Sequence, residues 1–229
     1  MKNENEAFQL IDLDRTLFDT SHFAKIITDE VDRSYPGIGS RLDEMFEIAY
    51  QNGETFFLLR HLREFMGDEA FEKLVEQLVA REGEDAFWLP GAKERLVLAE
   101  EISSLESPAW GILTYGDEVD QQMKRTIIGL QNAPMLLTDT PDKAEVIRGW
   151  KTDDGRFTLP RELGGLAVDV LTLEDDKLRA FKDLPDGVHG VWVATGHGTD
   201  QKIPDELIGK VTAVSDLYAS MEHIKRILS

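Results

Sequence analysis

The stretch "FQLIDLDRTLFDT" ends a short apolar run with two carboxylates, Asp12 and Asp14, one residue apart. In extended backbone, residues i and i+2 face the same side. Two carboxylates so placed repel unless a cation or a shared proton stands between them. Oxygen donors of this kind suit Mg²⁺. Other polar groups recur at the ends of apolar runs. "AWGILTY" ends in Thr114 and Tyr115, "LAVDVLTL" runs into Glu174, Asp175 and Asp176, and Lys143 opens the helical pattern "DKAEVIRGW". Gathered at one place, they would make an acidic cradle for a cation, a hydroxyl donor and an ammonium. Such a set suits a phosphoryl group beside a metal ion. Each residue alone has a plainer reading: a solvated turn for the two aspartates, a strand-end hydroxyl for Thr114, a solvated first-turn lysine for Lys143. An EF-hand loop is excluded, because its sixth position is Leu17 instead of Gly and its twelfth is Phe23 instead of Glu.

The elements that would position these groups are legible from periodicity. Phe8–Leu13 predicts a first, fully buried strand. From about Ser21 to Glu84 the patterns are helical only: "HFAKIITDEVDRSY", "SRLDEMFEIAYQN", "ETFFLLRHLREFM" and "DEAFEKLVEQLVARE", separated by Pro36-Gly37, Gly53 and Gly67, the last opened by Asp68 as N-cap. "WLPGA" marks a boundary. Beyond it strands and helices alternate: "KERLVLAEEISSL", "AWGILTY", "DEVDQQMKRTIIGL", "PMLLT", "DKAEVIRGW", a polar loop, "LAVDVLTL", "KLRAF", "GVWVA", "GKVTAVS" and "DLYASMEHIKRIL". Alternation of this kind implies an α/β domain with a mostly parallel sheet. The helical block is then an insertion after the first strand, giving a core of 1–20 and 87–229 and a helical domain of 21–86. In open parallel sheets chemistry gathers at the carboxyl ends of the strands, where these polar residues fall.

Composition narrows the function classes. The 229 residues carry 44 acidic against 25 basic side chains, a net charge of -19, and 41% are hydrophobic. That excludes wholesale disorder and argues against nucleic acid or an anionic membrane as partner. With no cysteine, disulfides, thiolate metal sites and cysteine nucleophiles are excluded. No apolar run approaches a membrane span and "MKNENEAFQL" lacks a signal-peptide core, so a cytoplasmic location is expected.

Four segments in order resemble the motifs of the haloacid dehalogenase (HAD) superfamily. "LIDLDRTLF" is similar to its first motif, D-x-D-x-T after an apolar strand. "GILTYGD" resembles the second, Lys143 in "TPDKAEVI" the third, and "VLTLEDDK" the fourth, a strand ending in paired acids. The resemblance implies a Rossmann-like parallel-sheet core, with the helical block at the place of an all-α C1 cap. It implies a Mg²⁺-dependent phosphatase acting on a small phosphorylated metabolite through an aspartyl-phosphate. In that scheme Asp12 is the nucleophile, and Asp14 protonates the leaving oxygen and then deprotonates water. Asp12, the backbone carbonyl of Asp14, and Asp175 or Asp176 hold the Mg²⁺. Thr114 donates to the phosphoryl oxygens, and Lys143 holds Asp12 and the transferring group. Asp14 favours phosphoryl transfer, since dehalogenases of the superfamily lack an acid there. Arg15 stands where Gly is commonest, and Tyr115 where Asn or Ser is frequent. The run Glu174-Asp175-Asp176 allows two registers, of which Asp175 and Asp176 as the pair is preferred. A phosphomutase, or a non-catalytic binding protein of the same fold, are the rival readings.

Other residues read as structural. Asp19 fits a flap residue or an N-cap, a role for which Thr20 and Ser21 compete. His61 lacks an H-E-x-x-H context, and "ATGHGTD" with His197 reads as a flexible loop. Arg60, Arg63 and Lys73 read as solvated helix faces, Phe56, Phe57 and Phe65 as the core of the helical domain, and Gln121 and Lys124 as structural.

Overall fold

The computed structural model describes residues 6–51, 56–102, 109–194 and 202–228. Its strands are β1 (Ala7–Ile11), β2 (Trp110–Tyr115), β3 (Met135–Thr138), β4 (Phe157–Thr158), β5 (Ala167–Val168), β6 (Val170–Asp175), β7 (Val188–Val193) and β8 (Val211–Val214). Its helices are α1 (Thr20–Ser34), α2 (Ile38–Gln51), α3 (Leu58–Met66), α4 (Asp68–Glu82), α5 (Ala92–Glu101), α6 (Glu118–Ile127), α7 (Lys143–Arg148) and α8 (Leu217–Leu228). The segment "KLRAF" forms only a short 3₁₀ turn, Leu178–Phe181.

Six strands form one sheet in the order β3-β2-β1-β6-β7-β8, and every neighbouring pair is parallel. This is the α/β parallel-sheet core that the alternating pattern predicts, and the Rossmann-like core that the resemblance implies. Strands buried on both faces read as near-continuous apolar runs, and β1 and β2 do. Phe8, Leu10, Leu171, Leu173 and Leu113 on one face pack with Ala144 and Ile147 of α7 and with Phe157 and Phe181. The strand order reverses at β1, whose neighbours are β2 on one side and β6 on the other. A crevice at the carboxyl ends is expected at such a switch point.

The chain divides into two compact units. One takes Met1–Phe18, Trp88–Tyr115 and Asn132–Ser229, and contains the sheet. The other takes Asp19–Phe87 and Gly116–Gln131. The helical unit therefore includes the segment carrying α6, which the sequence reading assigned to the core. In the sheet unit, Phe18 and Trp88 form an isolated antiparallel bridge, and Leu89 N–H donates to Leu17 O at 2.9 Å. The chain thus leaves and re-enters this unit side by side. Gly91 then opens α5 with φ 85°, and a Cβ there would lie 3.3 Å from Leu217 and Tyr218 side-chain atoms. The turn needs glycine for both reasons.

In the helical unit Asp19 is the N-cap of α1, accepting from His22 N–H at 2.9 Å. Gly67, not Asp68, is the N-cap of α4, and Asp68 is its first helical residue. Arg63 is not a solvated charge. It donates from Nη2 to Asp117 at 2.7 Å and Asp120 at 2.9 Å, tying α3 to the first turn of α6. Phe65 is 45% exposed and meets Tyr35 edge-on instead of filling a core. The run Leu166–Leu173, expected as one strand, is broken at Asp169. Its first part pairs with β4 as a two-stranded antiparallel ribbon, and β6 begins after the break. Asp169 N–H and Val170 N–H both donate to Glu6 O. His197 lies outside the described residues.

Candidate active site

Ile11, the last residue of β1, pairs with Glu174 near the end of β6. Asp12 N–H closes the ladder by donating to Glu174 O at 2.9 Å. Past this point both strands release their carboxylates. Successive strand residues face opposite sides, so Asp175 faces away from Glu174. One oxygen from each of Asp12, Asp175 and Asp176 lies within 4.8 Å of the others. This settles where the acids of the fourth segment go. Asp175 and Asp176 meet Asp12, while Glu174 is fully buried and bonded to Arg95 and Ser220.

Asp14 is placed differently from the simple alternation argument. The strand ends at Ile11, and the chain turns, with Leu17 and Phe18 N–H groups both donating to Leu13 O at 3.0 and 2.8 Å. Asp14 sits half-buried in that turn, outside the group of three carboxylates. Asp12 therefore groups with Asp175 and Asp176, and Asp14 stands outside that group. Arg15 follows with φ 59°, a left-handed conformation that glycine adopts freely.

Lys143 is the first residue of α7 and is almost fully buried. Its Nζ donates to Asp175 Oδ2 at 2.6 Å and also to Asp12 Oδ1. One ammonium thus bridges the ends of two adjacent strands. Asp175 Oδ1 accepts in addition from Lys177 N–H at 2.8 Å. Thr114 lies on β2, two residues past the partner of Ile11. Its carbonyl accepts from Thr138 Oγ1 at 3.1 Å, while its own buried hydroxyl has no hydrogen-bond partner among the described residues. Tyr115 is half-buried beside it.

The charges are unbalanced. Lys143 serves Asp12 and Asp175, while Arg15 Nη1 stands 3.9 Å from Asp176 Oδ2. That distance exceeds a hydrogen bond. Asp176 Oδ1 is buried without a hydrogen-bond partner. Burial pushes the Asp12 carboxyl up to about 7, Lys143 opposing it and the charges of Asp175, Asp176 and Asp14 adding to it. Burial and the charge of Asp175 push Asp176 up to about 6. Lys143 is raised above its ordinary value, because the two carboxylates outweigh the opposing effect of burial. Three hard oxygen donors, one with an unsatisfied buried oxygen, and carboxylates that resist ionising together fit a small divalent cation.

Sequence reasoning thus named each acid now found in this cluster. It did not single out Arg15 as a charge facing Asp176, nor Arg95 as the partner of Glu174. The signal for Arg95 was available: an arginine within the pattern of α5 at a position that, by helical spacing, faces the sheet.

Compared by sequence, the chain matches no family model and no curated protein. Compared by structure, the fold is that of the haloacid dehalogenase-like hydrolases. A haloacid dehalogenase-like hydrolase from Burkholderia xenovorans LB400 superposes with a TM-score of 0.66 at 19% identity, over 98% of this chain and 99% of that one. The HAD hydrolase YfnB from Bacillus subtilis, bound to magnesium, gives 0.55 at 14% identity, over 98% and 99%. A dehalogenase with an intermediate complex gives 0.54 at 15% identity, over 97% and 98%.

Proposed function

We propose that the chain is a Mg²⁺-dependent phosphatase acting on a small phosphorylated metabolite. The observation that carries this reading is the buried Asp12 carboxylate, gripped by Lys143 and grouped with Asp175 and Asp176 at the switch point of the sheet. Magnesium in the similar Bacillus subtilis protein supports the choice of metal. Asp14, two residues beyond Asp12, favours phosphoryl transfer over dehalogenation. The helical segment between β1 and β2 stands at the sequence position of a C1 cap.

In this reading an Asp12 carboxylate oxygen attacks phosphorus, and the P–O bond to the leaving group breaks. Asp14 gives its proton to the departing oxygen. Asp14 then takes a proton from water, whose oxygen attacks the phosphorus of the aspartyl-phosphate. The acyl phosphate P–O bond breaks, releasing inorganic phosphate and returning Asp12 and a protonated Asp14. Lys143 holds the Asp12 oxygen in place through both steps, and the Thr114 hydroxyl donates to a phosphoryl oxygen. Asp12, Asp175, Asp176 and the Asp14 carbonyl would hold Mg²⁺, which neutralises charge between the anionic nucleophile and the phosphoryl group.

The test is hydrolysis of para-nitrophenyl phosphate by the purified protein, with Mg²⁺ and with EDTA, beside Asp12→Asn. Metal-dependent turnover that the variant loses supports the reading. If this generic substrate is not turned over, binding of Mg²⁺ with BeF₃⁻, a mimic of the aspartyl-phosphate, still supports it. Absence of both turnover and binding overturns it in favour of a non-catalytic protein of this fold.

A further inference from the structure

Behind the acidic cluster lies a second charged set that the proposed chemistry does not use. Arg95 on α5 and Glu174 on β6 are both fully buried, and Arg95 Nε donates to Glu174 Oε2 at 2.9 Å. Ser220 Oγ of α8 donates to the other carboxylate oxygen, so both oxygens of Glu174 are held. The set sits on the face of the sheet opposite Asp175. On the same face Gln9 is the register partner of Thr172, and its Nε2 donates to Ala99 O at 3.1 Å, one turn of α5 beyond Arg95. Four further polar groups in this layer are buried without a hydrogen-bond partner among the described residues: Arg95 Nη1 and Nη2, Gln9 Oε1 and Thr172 Oγ1. Donors and acceptors left over together in one buried layer suit ordered water.

A buried ion pair is a poor way to hold a fold together. Removing two ions from water costs about as much as their attraction returns, and apolar residues of similar volume often serve as well or better. What such a pair does supply is direction. Glu174, like Lys143, is joined to both halves of the candidate site. Its carbonyl accepts from Asp12 N–H at 2.9 Å, and its own peptide leads straight into Asp175. Fixing its side chain from two helices fixes the carboxyl end of β6 against β1.

We propose that Arg95, acting through Glu174 with Ser220, is a positioning residue that sets the spacing between Asp12 and the Asp175–Asp176 pair. The inference rests on the metal-binding reading of that cluster. It assigns α5 and α8 a part in the site although neither contributes a group to the cluster itself.

The test uses the double variant Arg95→Met, Glu174→Leu, because Arg95→Met alone would strand a buried carboxylate and need not fold. Unfolding by urea and Mg²⁺ binding by calorimetry are measured on the intact chain, beside wild type and the single variant Glu174→Gln. The double variant is expected to unfold at the same or higher urea concentration yet to bind Mg²⁺ about 10-fold or more weakly. Glu174→Gln keeps an acceptor for Arg95 and is expected to stay within about 3-fold of wild-type affinity, against the 10-fold or greater loss typical of removing such a partner. A stable double variant with wild-type Mg²⁺ affinity overturns the positioning role and leaves the metal reading intact. A double variant that loses stability and affinity together shows a structural role only, and also overturns it. Wild-type protein that binds no Mg²⁺ overturns the reading of the cluster, and the positioning role with it.

Discussion

Asp12 and Asp175 stand at the ends of adjacent parallel strands and share one ammonium, that of Lys143. The arrangement ties the two strands at the point where their backbone ladder stops. It also leaves one carboxylate of the cluster, Asp176, outside the reach of that ammonium. Three carboxylates therefore have one buried ammonium among them, and the first two predictions follow from this.

Replacing Lys143 by Met keeps the apolar stem of the side chain and removes its charged end. Two almost fully buried carboxylates then face each other without a counter-ion. Breaking a buried pair by removing one partner costs about 3–5 kcal/mol. In EDTA, Lys143→Met is expected to lose about 3 kcal/mol or more of unfolding free energy, read from urea titrations. Mg²⁺ should recover part of that loss, because the cation replaces the missing charge. On the proposed phosphatase reading, turnover of para-nitrophenyl phosphate should not recover, since the ammonium also orients Asp12. A variant as stable as wild type in EDTA would mean that the bridge does not hold the strand ends.

The acidic cluster also sets a pH dependence. Asp12 is raised to about 7 and Asp176 to about 6, from 3.8 for a free side chain. Between these values the folded chain binds more protons than the unfolded one. Its stability in EDTA therefore falls as pH rises from about 4 to about 7 through these groups. Asp120 in the helical unit, raised by burial to about 6 despite Arg63, adds a term of the same sign. A cation that binds the carboxylates must displace their protons. Mg²⁺ affinity is thus expected to climb between about pH 5 and 7 and to level off above about 8. Calorimetry in two buffers of different ionisation enthalpy at pH 6 should show protons released. Affinity that does not change over this range would contradict the raised carboxyls.

Arg15 permits a cleaner test of backbone strain. Its φ of 59° is left-handed, where a side chain other than glycine costs about 1–2 kcal/mol. Arg15→Ala keeps that strain and removes the guanidinium 3.9 Å from Asp176. Arg15→Gly removes both, at the expense of a more flexible unfolded chain. Arg15→Gly is therefore expected to be more stable than Arg15→Ala by about 0.5–1 kcal/mol, measured as the difference in urea midpoints. The reverse order would mean that the turn after Asp14 tolerates a side chain without strain.

Much of this was legible in the chain. Short apolar runs separated by helical patterns lead to the parallel sheet, the polar residues ending those runs lead to the acids, and the opening of the helix after β3 leads to Lys143. What was not legible depends on tertiary placement. The i and i+2 argument put Asp12 and Asp14 together, but β1 stops at Ile11, so the turn at Leu13–Phe18 decides where Asp14 lies. The register of Glu174, Asp175 and Asp176 was open by one residue until Ile11 paired with Glu174. Arg63 read as solvated because its partners, Asp117 and Asp120, lie more than fifty residues away. The ribbon of β4 and β5 is not legible in the sequence, because two-residue strands carry no period to read.

The roles proposed for the two motif aspartates can be separated by the leaving group. Para-nitrophenolate is a good leaving group and needs little help from an acid, so loss of Asp14 should spare the first step with this substrate. The second step has no such relief, since water must still lose a proton to attack the aspartyl-phosphate. Asp14→Asn is therefore expected to release about one equivalent of nitrophenol rapidly and then turn over at least 100-fold more slowly than wild type, in line with the loss of a general base. Mass spectrometry of the acid-quenched variant should show one added phosphoryl group, and fragmentation should place it on Asp12. Asp12→Asn should show neither the burst nor the added mass. The amide at position 14 keeps the size of the side chain in the half-buried turn. A burst in Asp12→Asn, or phosphate on another residue, would remove Asp12 from the role of nucleophile. A phosphorylated Asp14→Asn that transfers its group to an added alcohol faster than to water would instead favour the mutase reading.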